Sequence, residues 1–152
     1  MSPRTPLEIR ALRMLARREH SRRELEQKLS AGGESCETEA LASVLDKLER
    51  KGFLSEQRVV EQVARIRRSR FGNHRIVHEL KAKGIDSHLI DGILPMLKQT
   101  ELEAAINIWR KKFEHPPVSK EERGKQVRFM MNRGFSMETI QQVLAQADEG
   151  NA

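Results

Sequence analysis

Cysteine, tyrosine and long apolar runs are nearly or wholly missing from this chain of 152 residues: one Cys, no Tyr, one Trp and five Phe. The lone Cys36 has no partner for an internal disulfide, and a single thiol without other soft ligands cannot hold a structural zinc. A reducing compartment fits that usage. No apolar stretch approaches the roughly 20 residues that cross a bilayer, and the opening "MSPRTPLEIR" has no apolar core of a signal peptide, so the expectation is cytoplasmic with no membrane association. Strand patterns are absent too, because the Val and Ile clusters fall at helical spacing and do not alternate.

What the chain has in quantity is charge. Charged residues make up 33% and apolar ones 38%, a soluble and well-solvated balance. Lys and Arg number 28 against 22 Asp and Glu, giving net +6 and a pI near 9.8. Such an excess attracts polyanions at long range, which bears on partners and not on fold.

Apolar residues recur at i, i+3, i+4, i+7 in three places: Leu41, Val44, Leu45, Leu48; Ile90, Ile93, Leu94, Leu97; and Ile140, Val143, Leu144, Ala147. Each set is the stripe that one helix face buries. The sets begin at 41, 90 and 140, a period of about 50. Gly84 and Gly134 keep the same offset, each placed to end one helix in a left-handed conformation, with Asp86 and Ser136 placed to N-cap the next. The preceding helix repeats as Leu25 and Leu29, Ile76 and Leu80, then Val127 and Met130. The one before it repeats as Leu12 and Leu15, Val63 and Ile66, then Ile106 and Trp109.

The pattern predicts an all-α fold of three tandem three-helix repeats, elongated and curved: residues 1–54, 55–98 and 99–148, followed by a disordered tail at 149–152. Ser21-x-x-Glu24, Thr100-x-x-Glu103 and Ser119-x-x-Glu122 have capping-box form, "KGFLSE" and "LKQTE" are the expected joints, and "HPP" breaks the third unit. Units of about 50 residues are near the minimum for independent stability, so neighbours are expected to share packing. Trp109 and the phenylalanines, Phe53 and Phe71 among them, are the expected fillers of core and joints, each contributing on the order of 2–3 kcal/mol when fully buried.

No catalytic constellation stands out. The chain lacks a phosphate-binding G-x-x-x-x-G-K-[ST] run and a G-x-S-x-G elbow, and it reads as a non-enzyme without cofactor. His74 and His78 lie one turn apart, but the glutamate of a zincin motif and a third ligand are missing, so no metal site is expected. The basic residues are more informative. From Arg65 to Lys83, seven Lys or Arg stand against Glu79 alone, so 19 residues carry +6. Arg65, Arg67, Arg68 and Arg70 on one helix, with His74, Arg75, His78, Lys81 and Lys83 on the next, are candidates for contact with a polyanion or an acidic partner. Arg110, Lys111, Lys112, Lys125, Arg128 and Arg133 form the equivalent concentration in the third unit, which predicts two stacked basic ridges. No Asn, Gln or Arg cluster marks a recognition helix, so phosphate contact is favoured over base reading.

Four fragments, "ARREHSRRELEQKL", "KGFLSEQR", "GNHRIVHELKAKGID" and "RFMMNRGFSMETIQQVL", taken in this order resemble the RecX family, regulatory proteins of the RecA recombinase, from about Leu7 to Leu144. The resemblance implies three three-helix repeats. It also implies a protein, monomeric in our reading, that lodges in the groove of the RecA filament on DNA and lowers its ATPase, strand-exchange and coprotease activities, tempering recombination and the SOS response, with direct contact to single- or double-stranded DNA in some members. The matching positions are His20, Ser21, Glu24, Leu25, Lys28 and Leu29; Gly52, Phe53, Leu54 and Arg58; Gly72, Arg75, Ile76, Glu79, Leu80, Lys83, Gly84 and Ile85; and Arg128, Phe129, Arg133, Gly134 and Phe135. Val59 departs from the pattern, since an aromatic is common there, and slightly looser joint packing is expected. The residues alone leave open a general DNA-binding helical module or transcription factor, and an inert repeat scaffold.

Overall fold

The computed structural model describes residues 3–31 and 38–150, which form eight helices and, among these residues, no strand. They are α1 (Pro6–Arg17), α2 (Arg22–Ser30), α3 (Thr38–Arg50), α4 (Glu56–Arg67), α5 (Asn73–Ala82), α6 (Ser87–Lys112), α7 (Lys120–Asn132) and α8 (Met137–Gly150). Cys36 and much of the first unit's long joint lie outside the described residues.

The helix ends follow the local chemistry. Ser21 and Glu24 complete a reciprocal capping box on α2, Asp86 caps α6 through the His88 N–H, and the Ser136 hydroxyl accepts from the Thr139 N–H at 3.2 Å. At Ser119 the box is displaced by one residue: the hydroxyl accepts from the Glu122 N–H, but the carboxylate takes the Val118 N–H. Gly84 and Gly134 have φ of 78° and 94°, and Gly52 joins them at 81°. Each sits just past a helix whose last carbonyls accept from the glycine and from the residue after it, as in Ile85 N–H to Leu80 O at 3.1 Å. A Cβ would be strained at that φ, so glycine is required.

The third unit joins the second without a break. The 26-residue α6 runs straight through the expected joint at "LKQTE". Thr100 caps nothing; its hydroxyl donates back to the Met96 carbonyl at 2.9 Å. The reason is that the buried stripe does not stop there: Leu97, Glu101, Ala104, Ala105 and Ile108 are all buried, an uninterrupted helical period. At the other end α8 reaches Gly150, so 149 and 150, expected in the tail, are helical.

The core is divided in three. Ala11, Leu25, Leu29, Leu41, Leu45, Leu48 and Leu54 form one cluster. Val59, Val60, Val63, Ala64, Ile76, Leu80, Ile85, Ile90 and Leu97 form the second, and Ala105 to Leu144, with Trp109, Met130 and Phe135, the third. Each unit closes its own apolar cluster, and α6 carries the second cluster into the third. One residue of the repeating apolar pattern and one expected filler lie outside these cores. Ile66 is 50% exposed, because at 100° per residue it falls roughly a quarter-turn from the centre of the α4 stripe. Phe53 is 45% exposed because it follows the Gly52 turn and adjacent Leu54, at 2%, takes the inward place.

Candidate partner-binding surface

The first turn of α5 fixes the surface. Its N-cap residue is Gly72, which has no side chain to satisfy the orphan amides. The third unit supplies the acceptors: Gly72 N–H donates to Arg133 O at 2.7 Å and His74 N–H to Gly134 O at 3.1 Å, while Asn73 N–H donates to the Glu101 carboxylate at 2.7 Å. The other Glu101 oxygen accepts from the Thr139 hydroxyl at 2.6 Å. Contact is so close that a Cβ on Gly72 would stand 2.5 Å from the Gly134 carbonyl carbon and oxygen. The first junction repeats the device in part, since the Arg22 N–H at the start of α2 donates to Glu56 at 2.9 Å.

Arg68 was expected among the outward-facing cations and is instead turned inward. Its guanidinium donates to Asn73 Oδ1 (2.7 Å), Phe71 O (2.9 Å), Leu97 O (3.2 Å) and Thr100 Oγ1 (3.2 Å). Burial lowers its pKa and the nearby Glu101 charge opposes that shift. It ties α4, α5 and α6 together and offers little to a partner.

Several other cations are already engaged. Arg67 pairs with Glu79 at 2.9 Å. Lys83 reaches across the first junction to Glu24 at 3.1 Å. Burial alone would raise the Glu24 carboxyl, but the Ser21 N–H and the Arg18 and Lys83 side chains outweigh it and bring the pKa down to about 2. Arg75 lies over the Phe71 ring at 4.4 Å and donates to Asn132 O at 2.8 Å, another bond between the second and third units.

Arg70, Lys111, Lys112 and Arg133 converge. With Ser69, Ile108 and Phe129 they line a recess of about 210 Å³ that contains no acidic residue. Arg133 is held in place: it donates to Arg70 O at 3.3 Å and its guanidinium stands 5.8 Å from the Phe71 ring centre and 5.2 Å from that of Phe129. The Lys112 ammonium is 5.4 Å from the Phe129 centre. The faces of both rings are thus occupied by cations.

His74, His78 and Lys81, all three exposed, line a separate cleft of about 800 Å³ between α5, α6 and α8. Lys98, Glu138 and Gln142 share that cleft, over Val77 and Leu94. The remaining expected cations do not join either group. Arg65 and Arg128 are exposed on their own helices, Arg110 lines a small hollow beside Trp109, and Lys125 lies near Glu114 and Glu122. The two predicted ridges therefore resolve into one acid-free recess and one mixed cleft, both where the second and third units meet. Sequence reasoning missed Lys98 and Glu101. Glu101 had a readable signal, a carboxylate on the apolar stripe of Leu97, Ala104, Ala105 and Ile108, whereas nothing marked Lys98 before α6 was known to be continuous.

Among the described residues no helix is long and apolar enough to cross a membrane, and no group of three His, Cys, Asp or Glu is placed to hold a metal ion. Three helical units in tandem, joined by carboxylate caps and glycine contacts and presenting clustered cations at a junction, define a helical-repeat protein. The family descriptions "RecX, first three-helix domain", "second three-helix domain" and "third three-helix domain" match residues 9–48, 55–94 and 99–144, and the chain belongs to the RecX family of regulatory proteins. It is 46% identical to the regulatory protein RecX of Leptothrix cholodnii, over 96% of this chain and 92% of the relative. Its identity to that of Ralstonia pickettii is 41%, over 97% and 92%. The crystal structure of RecX from Lactobacillus salivarius has the same fold, with a TM-score of 0.79 at 20% identity over 93% of this chain and 94% of that one.

Proposed function

We propose that the protein is a regulator, mainly negative, of the RecA recombinase, and that it acts without catalysis of its own, as a cytoplasmic monomer. It lodges in the groove of the RecA–DNA filament and lowers ATPase, strand-exchange and coprotease activity, and so tempers recombination and the SOS response. The observation that supports this reading best is the acid-free group of Arg70, Lys111, Lys112 and Arg133, contributed by two units and held on a braced junction. Such a group attracts a polyanionic assembly and presents its charge in a fixed geometry. A wedge that spans neighbouring protomers opposes the interdomain motion on which ATP turnover depends.

The same recess favours a second reading, a general DNA-binding helical module. The two separate on filament preference. RecA ATPase on single-stranded DNA is titrated with the protein well below one per recombinase protomer, at near-physiological salt. A filament regulator inhibits strongly at these ratios, and Arg70→Glu with Lys111→Glu weakens inhibition at least tenfold. Binding to bare DNA with no inhibition even at saturation would select the DNA-binding module.

A further inference from the structure

We infer that the cleft of about 800 Å³ between α5, α6 and α8 docks a short acidic segment of a partner polypeptide, one that carries carboxylates beside an apolar side chain. The contact is separate from the basic recess, with which the cleft shares no lining residue, so both can be occupied at once. Each of the three helices lines the cleft with a pair of residues one turn apart: Val77 and Lys81 from α5, Leu94 and Lys98 from α6, Glu138 and Gln142 from α8. Two walls therefore set a cation one turn beyond an apolar residue, and the third sets an amide one turn beyond a carboxylate.

This pattern selects the occupant. Val77 and Leu94 are half-buried and packed against the core of the second unit, which makes them a fixed apolar floor. Arg67 and Lys83 of the same basic run are neutralised by Glu79 and Glu24, whereas Lys81 and Lys98 are exposed and, among the described residues, have no carboxylate partner. Of the two acids in the lining, Glu101 is buried and already accepts from the Asn73 N–H and the Thr139 hydroxyl. Glu138 is thus the one exposed acid against two exposed cations, and carboxylates flanking an apolar side chain complement that excess. The α8 wall tells a polypeptide from a chain of phosphates. Phosphate oxygens only accept and are repelled by Glu138, while a peptide backbone has N–H groups for Glu138 and carbonyls for the Gln142 amide. The walls are also held in place, since the Asn73 and His74 N–H groups of α5 bond to Glu101 and Gly134, and a preformed cleft costs its occupant less ordering.

The test is selection from a library of random 12-residue peptides displayed on phage, against the immobilised full chain as wild type and as the double variant Lys81→Glu, Lys98→Glu. The wild type should enrich peptides with two or more Asp or Glu around a Leu, Ile, Met or Phe, and the variant should lose these and enrich Lys and Arg instead. An enriched peptide, synthesised and labelled, should lose about tenfold or more in affinity for the double variant in fluorescence anisotropy. It should bind unchanged to Arg70→Gln with Lys111→Gln in the recess. Glu138→Gln should tighten its binding, a direction that loss of folding cannot mimic. Enrichment of no peptide, of peptides without acidic residues, or of acidic peptides that the recess variant loses and the cleft variant keeps would each overturn the inference. The filament reading stands apart from all three outcomes, because the ATPase titration reads it without the peptide.

Discussion

Gly72 and Gly134 illustrate how differently glycines act at single positions in this chain. Gly52 needs glycine only for its φ of 81°, since nothing stands within 4 Å of an added Cβ. Gly72 has ordinary φ, but its Cβ would meet backbone at 2.5 Å, and Gly134 combines φ of 94° with a contact of 2.6 Å to Arg75 Cβ. Alanine at 52 should cost about 1–2 kcal/mol from left-handed strain. At 72 it should cost about 3 kcal/mol, near the top of the range for overpacking, and at 134 the most, an order that urea denaturation checks directly. Two carboxyls pull stability in opposite directions with pH. Glu24, held at about 2, contributes stability that is present above its unfolded pKa of 4.5 and is lost as pH falls toward 2. Burial raises the Glu56 carboxyl, against the Arg22 N–H bond, and one of its oxygens has no partner. Its contribution is present below the ordinary value of 4.5 and lost as pH rises through its higher folded value. Glu56→Gln should therefore stabilise the protein at neutral pH relative to its effect at about pH 4, and melting curves at the two pH values check the sign.

At the scale of elements, α6 decides the arrangement. The capping-box pattern at Thr100 and Glu103 argued for a break, and the buried stripe from Leu97 to Ile108 overrode it, because ending the helix there would have left its backbone groups and that stripe unpaired. Local cap chemistry proposes a boundary; packing accepts or refuses it. Gly92 lies within α6, and a methyl group added there would stand in open space, so Gly92→Ala should stabilise by about 0.8–1 kcal/mol through helix propensity alone. Thermal denaturation should show a rise in Tm with no change in DNA or filament binding, since residue 92 lines neither the recess nor the cleft.

For the whole molecule, the two junctions differ in kind. The second and third units share α6 and are tied by hydrogen bonds from the backbone of Gly72, Asn73 and His74. The first unit meets the second through Arg58–Glu19 at 2.8 Å, Lys83–Glu24 at 3.1 Å and the Arg22–Glu56 bond. Ion pairs that solvent reaches, such as Arg58–Glu19, contribute roughly 0–1 kcal/mol each and are screened by salt. Raising salt from about 0.05 to about 0.5 M should thus loosen the first junction before the second. Amide exchange should quicken at the start of α2 while the first turn of α5 keeps its protection; uniform change at both would show that the junctions do not differ in this way.

Helical class, the count of three units, the glycine turns and the Ser21 and Asp86 caps were legible in the sequence, because they rest on interactions within a few residues of one another. The basic excess was legible for the same reason, as a property of composition. The tertiary structure alone decided which cations are free. Arg68 and Arg70 are two residues apart in one basic run, yet the first is held by four groups drawn from Phe71 to Thr100 and the second opens onto the recess with Lys111, Lys112 and Arg133. It also placed Glu101 at the start of α5, a pairing across 28 residues. Contacts between units depend on how three packed bodies meet, and a period of about 50 residues records that they repeat without recording which faces touch.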